Sequence, residues 1–82
     1  MEDEGVHDDL FGDFDAGLIR VWERTERDGN GEMRILHYWA EWNDEQDPKV
    51  AGSYWVSIQE GTGMDALKGA REAIRRQRLQ EE

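Results

Sequence analysis

The sequence has no cysteine, a single proline and no long apolar run. Without cysteine, neither a disulfide framework nor a thiolate zinc site can stabilise the fold. No segment approaches the roughly 20 apolar residues that span a bilayer, and acids stand at the N-terminus where a signal peptide carries basic residues. These absences lead us to expect a cytoplasmic protein without membrane association.

Positive charge is also scarce, because ten Lys and Arg face twenty Asp and Glu and leave a net charge of -10. The first 16 residues carry seven acids and no base, whereas five bases outnumber four acids from residue 64 onward. The chain therefore runs from an acidic head to a locally basic tail. A net charge of this size bears on binding partners and solubility rather than on fold.

The length of 82 residues allows one small domain, which buries only about 60% of its unfolded surface. Residues 1–16 are predicted to form an acidic, flexible N-terminal tail, because their like charges leave little apolar surface to offset the entropy of ordering. Leu10, Phe11 and Phe14 interrupt these acids, and they either dock on a partner or fold back onto the core. Residues 17–82 are predicted to form the single domain.

Three stretches have the alternation of β-strands, at residues 18–25, 33–42 and 53–59. The first two flank Asp28-Gly29-Asn30-Gly31, which contains two dipeptides that suit a tight hairpin turn. The sequence therefore predicts an antiparallel meander, with a polar loop around Pro48 before its third strand.

A helix is predicted from about residue 64 to residue 80. Thr62 is the expected N-cap, with Asp65 three residues later. The apolar positions at helical spacing are Met64, Leu67, Ala70 and Ile74. The predicted fold is thus α+β: three antiparallel strands followed by one C-terminal helix that packs on one face of the sheet (βββα).

Strand alternation divides the sheet residues into two sets. Ile19 and Val21 share a face with Leu36, Tyr38 and Ala40, whereas Ile35 and His37 are assigned to the opposite face. We predict that this opposite face binds a partner through Arg20, Trp22, Arg24, Trp39 and Trp55. The alternative is that the helix or the acidic head covers this face, so that its tryptophans form the core.

No motif indicates catalysis or metal binding. Carboxylate pairs are expected by chance in a chain that is one quarter acidic, and none is marked by an apolar environment that would raise a pKa. His7 and His37 lack the spacing of a zinc site. We therefore expect no enzyme activity, no metal and no cofactor.

The excess of acids favours a small protein-binding module that presents carboxylates to a basic, nucleic-acid-handling protein. Spaced carboxylates can replace the phosphates that such a protein contacts. The predicted acidic surface comprises Asp8, Asp9, Asp13, Asp15, Glu23, Glu26, Asp28, Glu32, Asp44, Glu45 and Asp47. In size and charge the chain resembles small phage-encoded inhibitors that mimic DNA, among them anti-CRISPR proteins and uracil-DNA glycosylase inhibitors. The resemblance implies an inhibitor or regulator, which we expect to be a monomer or weak dimer.

The alternative function is direct nucleic-acid binding by the Arg and Trp side chains of the sheet face. Three strands followed by a helix is similar to the order in AP2-like and integrase arm-binding domains, which implies DNA reading from the sheet. The net charge of -10 opposes this function, because duplex binding depends on a positive footprint. An autoinhibitory acidic tail would reconcile the two.

Overall fold

The computed structural model describes residues 5–80 as one antiparallel sheet with a helix on one face. The elements are β1 (Val6–Phe14), β2 (Ile19–Arg27), β3 (Met33–Asn43), β4 (Ala51–Ser57) and α1 (Gly63–Leu79). The strands lie in sequence order, and α1 packs across β2, β3 and β4. The predicted α+β class and C-terminal helix are confirmed. No helix in the described part of the chain is long and apolar enough to cross a membrane.

The predicted count of three strands is wrong, because residues 6–14 of the predicted flexible tail form β1. This strand pairs with β2 from Val6, opposite Glu26, to Phe14, opposite Ile19. Most of its side chains stay exposed, so backbone pairing with β2 holds the strand in place together with the contacts of Phe11 and Phe14 on the helix side. Because these side chains are mostly exposed, the composition of the segment did not indicate a strand. Residues 1–4, the rest of the predicted tail, lie outside the described residues.

The β2–β3 hairpin has the turn that the sequence predicts. The Asp28 carboxylate accepts hydrogen bonds from the backbone N–H groups of Asn30 and Glu32, at 2.9 and 3.0 Å. These bonds lower the pKa of Asp28 below its usual range. Gly31 takes a positive φ of 85°, a conformation that glycine adopts without steric cost.

The core lies between the sheet and α1. Its buried apolar side chains are Ile19, Val21, Tyr38, Ala40, Trp42, Val50, Val56, Ala66, Leu67, Ala70 and Ile74. The predicted placement of Ile35 on the opposite face is wrong, because Ile35 packs against this core. The β2–β3 register shifts there and leaves Leu36 without a partner on β2, which reverses the faces of β3 before it.

Both ends of α1 are fixed by polar contacts. At its start Thr62 and Asp65 form the predicted capping box, with the Asp65 carboxylate accepting the Thr62 N–H at 2.8 Å. Near its end Gln77 accepts a hydrogen bond from the Trp42 indole at 3.0 Å and donates one to the Ala51 carbonyl at 2.9 Å. Met64, predicted to lie on the apolar stripe, is instead 54% exposed.

Candidate protein interface: the open sheet face and the acidic edge

The sheet face opposite α1 carries a continuous row of large apolar side chains. Leu10 on β1 lies opposite Trp22 on β2, Trp22 opposite Trp39 on β3, and Trp39 opposite Trp55 on β4. One residue from each strand thus forms a line across the sheet, which we call the aromatic row. Leu10 and Trp55, its two ends, are 50% and 52% exposed.

The indoles of the aromatic row stack on one another. The ring planes of Trp39 and Trp55 are 15° apart with centroids separated by 5.0 Å, and those of Trp22 and Trp39 are 19° apart at 6.2 Å. Nearly parallel rings at 5.0 Å overlap face to face, because two indoles side by side in one plane would clash at that distance. The inner ring faces are therefore occupied by neighbouring tryptophans, and the row presents mainly ring edges.

Polar side chains fix the row from both sides. Arg24 donates two hydrogen bonds to the Asp8 carboxylate, at 2.6 and 2.8 Å, and its guanidinium lies 5.3 Å from the centroid of the Trp39 ring. This contact holds the pKa of Asp8 below its usual range. On the other side, the Trp22 indole donates to Glu41 at 2.6 Å.

His37 extends the aromatic contacts, because its ring centroid lies 4.8 Å from that of Trp55 and 5.8 Å from that of Trp39. Burial, reinforced by the positive charge of Arg24, lowers the pKa of His37 below its ordinary value. The imidazole is therefore held neutral against the indoles.

All five residues predicted for the sheet face lie on this open face. Trp22, Trp39 and Trp55 join the aromatic row, Arg24 contacts it, and Arg20 lies opposite Asp13 and Glu41 in the neighbouring row. Sequence reasoning missed Leu10 as the fourth member because β1 was not predicted. The only sequence signal for this strand was the two-residue spacing of Asp8 and Leu10, which would place both on one face.

β1, one of the two edge strands of the sheet, carries acids and no Lys or Arg. Asp8, Asp9, Asp13 and Asp15 lie within or just after this strand, and residues 5–19 contain no Lys or Arg. We call these four residues the acidic edge. Two of them are held by arginines, since Arg24 binds Asp8 and Arg71 binds Asp15 at 2.9 and 2.7 Å, which lowers the pKa of Asp15. Asp9 lies opposite Glu23, and Asp13 opposite Arg20.

The other predicted acids do not join this edge. Asp28 and Glu32 lie at the β2–β3 turn, and Glu26 pairs with Arg34 at 3.1 Å. In the loop after β3, Asp44 is 3.4 Å from Arg78 and Asp47 is 3.7 Å from Lys49, whereas Glu45 is exposed. The loop and the turn lie at opposite ends of β3, about 35 Å apart for its 11 residues. The predicted carboxylates therefore do not form one continuous patch.

The described residues contain no cluster of three or more side chains that is suited to a metal ion. Comparisons of the chain with protein-family models, with curated proteins and with solved structures found no match.

Proposed function

We propose that the protein is a small acidic binding module, an inhibitor or regulator that presents the acidic edge to a basic, nucleic-acid-handling protein. The observation that carries this proposal is the use of charge within the fold. The ion pairs among the described residues engage seven of the ten bases, namely Arg24, Arg34, Lys49, Arg71, Arg75, Arg76 and Arg78. Within residues 5–80, six of the fifteen acids form these pairs, so the remaining surface charge of this part of the chain is mostly carboxylate.

The acidic edge has a spacing that supports phosphate mimicry in part. Its four carboxylates are separated by three intervals over at most about 23 Å of chain, or one charge about every 8 Å. One DNA strand carries a charge every 3.4 Å along the axis. The edge is thus less than half as dense as one DNA strand, and its Asp8 and Asp15 carboxylates are paired with arginines.

Direct nucleic-acid binding receives less support from the same contacts. Stacking proteins offer the free faces of aromatic rings to bases, whereas Trp39 lies between the rings of Trp22 and Trp55. Arg24 is bound to Asp8, and Arg20 lies between two acids. A band shift at low salt by the full chain would favour that function instead.

The test is a pull-down from lysate of the native host, or of a host infected by the element that carries the gene, with bound proteins identified by mass spectrometry. We expect to recover a basic protein that is released as salt is added, because exposed charges are screened as ionic strength rises. The full chain should block the binding of that protein to DNA. Capture that is indifferent to salt would contradict the proposal.

A matched pair of variants locates the contact. Asp9→Lys with Asp13→Asn removes charge from the acidic edge without placing a lysine opposite Arg20, and Glu45→Lys with Asp47→Asn makes the same charge change in the loop. We expect the first variant to slow association about tenfold and the second to have a smaller effect, because steering depends on local potential. Equal effects would indicate that only net charge matters.

A further inference from the structure

The two edges of the sheet differ in how they are protected against pairing with another strand. β1 carries the acidic edge and a bulge at Phe11, both of which discourage edge-to-edge association. β4 has the sequence Ala-Gly-Ser-Tyr-Trp-Val-Ser, with no charged residue and no proline in a chain that is 37% charged. Its first five residues are all exposed.

The free backbone groups of β4 follow from its pairing with β3. Val50, just before the strand, accepts from the Asp44 N–H at 2.9 Å, and Ile58, just after it, donates to the Leu36 carbonyl at 3.3 Å. Bonded and free positions alternate along an antiparallel strand. The N–H and C=O groups of Ser53 and Trp55 therefore point away from β3 and toward solvent. The carbonyls at the two ends of the strand are already bonded, because Ala51 accepts from Gln77 at 2.9 Å and Ser57 accepts from the N–H groups of Glu60 and Gly61 at 2.9 and 3.1 Å.

We propose that β4 pairs with β4 of a second copy of this chain, giving an eight-stranded sheet in a two-fold symmetric dimer. If the two strands align along their whole length, the two-fold axis passes through Tyr54, the middle residue of β4. Ser53 then lies opposite Trp55 of the second copy, and Trp55 opposite its Ser53. These two pairings satisfy the free N–H and C=O groups of both residues in both copies.

The surface beside β4 supports a second copy as the occupant. A groove of about 520 Å³ between β4 and α1 is lined by Tyr54 and by one side of the helix. The charged helix residues along it are, in order, Asp65, Lys68, Glu72 and Arg76. The Tyr54 ring lies against Gly69, so a two-fold axis at Tyr54 also passes close to the middle of this row of charged helix residues.

Two-fold rotation makes that series complementary to itself. Asp65 then faces Arg76 of the second copy. Lys68 faces Glu72 of the second copy, which also pairs with Arg75 and Arg76 of its own helix at 3.2 and 3.4 Å. The two helices lie about three strand spacings apart, roughly 14 Å, if each is centred over its own β3. Long charged side chains span that separation, and the two Tyr54 rings fill the space between the helices.

The first test is the molar mass in solution, measured by light scattering and sedimentation over the widest concentration range that solubility allows. We expect the wild-type chain to reach twice its mass of 9.6 kDa. Ser53→Pro removes one outward N–H without touching the β3–β4 bonds and should remain monomeric. Ser53→Thr, which keeps that N–H, should dimerise like the wild type.

A charge swap provides the second test and keeps the proposal falsifiable if Ser53→Pro does not fold. Lys68→Glu places two acids face to face at both symmetry-related contacts and should weaken the dimer about tenfold, or about 1.4 kcal/mol. Lys68→Glu with Glu72→Lys restores opposite charges across the axis and should recover it. Circular dichroism on each variant separates weaker association from a lost fold.

Two results would overturn the dimer. One is a wild-type chain that stays monomeric, in which case β4 would be available for pairing with a strand of a different protein. The other is a dimer that Ser53→Pro and Lys68→Glu leave intact. Neither result bears on the proposed function, which depends on β1.

Discussion

At the residue scale, His37 couples stability to pH. Its pKa is lowered in the folded protein by burial and by Arg24, with Asp8 opposing, and returns to about 6.5 on unfolding. The unfolded chain therefore binds more protons once the pH falls below about 6.5, and stability drops with pH from there down to the lowered pKa. We expect His37→Gln to remove this slope, as measured by thermal unfolding between about pH 7.5 and pH 5.

The carboxylates act in a separate, more acidic range. The pKa values of Asp8 and Asp15 are lowered by their arginine partners, so their stabilising effect is present above the ordinary carboxyl pKa and is lost as the pH falls through the lowered values.

The His37 prediction has its own contrary outcome. If stability changes with pH near pH 6 equally in the wild type and in His37→Gln, another group is responsible.

Also at the residue scale, the tryptophans divide by face. Trp42 is 5% exposed and bonded to Gln77, so Trp42→Ala should cost about 3–5 kcal/mol of unfolding free energy. Trp55 is 52% exposed and loses its ring contacts with Trp39 and His37, so Trp55→Ala should cost about 1–2 kcal/mol. Chemical denaturation measures both, and similar losses would mean that the aromatic row is needed for folding.

At the scale of elements, β1 belongs to the folded domain. Phe11 meets Tyr38 edge-on with ring centroids 5.5 Å apart, and Phe14 packs against the core. A chain restricted to residues 17–82 loses both contacts and exposes the edge of β2. We expect it to lose at least about 2 kcal/mol of stability, roughly the value of two half-buried aromatic side chains.

A control separates the strand from its charge, since the truncation also removes seven acids. Changing the four aspartates of the acidic edge to asparagine keeps β1 and discards its negative charge. We expect this variant to keep its far-ultraviolet circular dichroism and most of its stability. Full stability in the truncated chain would contradict a structural role for β1.

The elements also show how far sequence reasoning extends. The β2–β3 hairpin and α1 were predictable because Asp28, Gly31 and Thr62 determine their own local geometry through turns and caps. β1 was not predictable, because its residues favour a coil in isolation and acquire strand geometry only from β2. Likewise, alternation predicted the face shared by Trp22, Trp39 and Trp55 but not the bulge that moves Ile35.

At the scale of the whole molecule, the shape is elongated, with extents of 53 × 25 × 18 Å and a Cα radius of gyration of 14.8 Å. A compact chain of this length would have about 11.7 Å. Small-angle scattering can therefore tell how two copies associate. Pairing through β4 puts the centres about 19 Å apart, four strand spacings, and predicts a radius of gyration of about 18 Å.

End-to-end association along the long axis would give a clearly larger value, near 29 Å for centres about 50 Å apart. The β4 dimer would also leave the two copies of β1 on its outer borders. The acidic edges would then lie about 34 Å apart, seven strand spacings, and both would be open to partners.

The aromatic row has an optical consequence. Indoles with nearly parallel planes and centroids 5.0 and 6.2 Å apart exchange excitation energy, so light absorbed by Trp22 can be emitted from Trp55 at the margin of the sheet. A quencher that contacts Trp55 can therefore lower the emission of the whole row. Trp42 lies in the core on the opposite face, so a Trp42→Phe variant isolates the fluorescence of the open face.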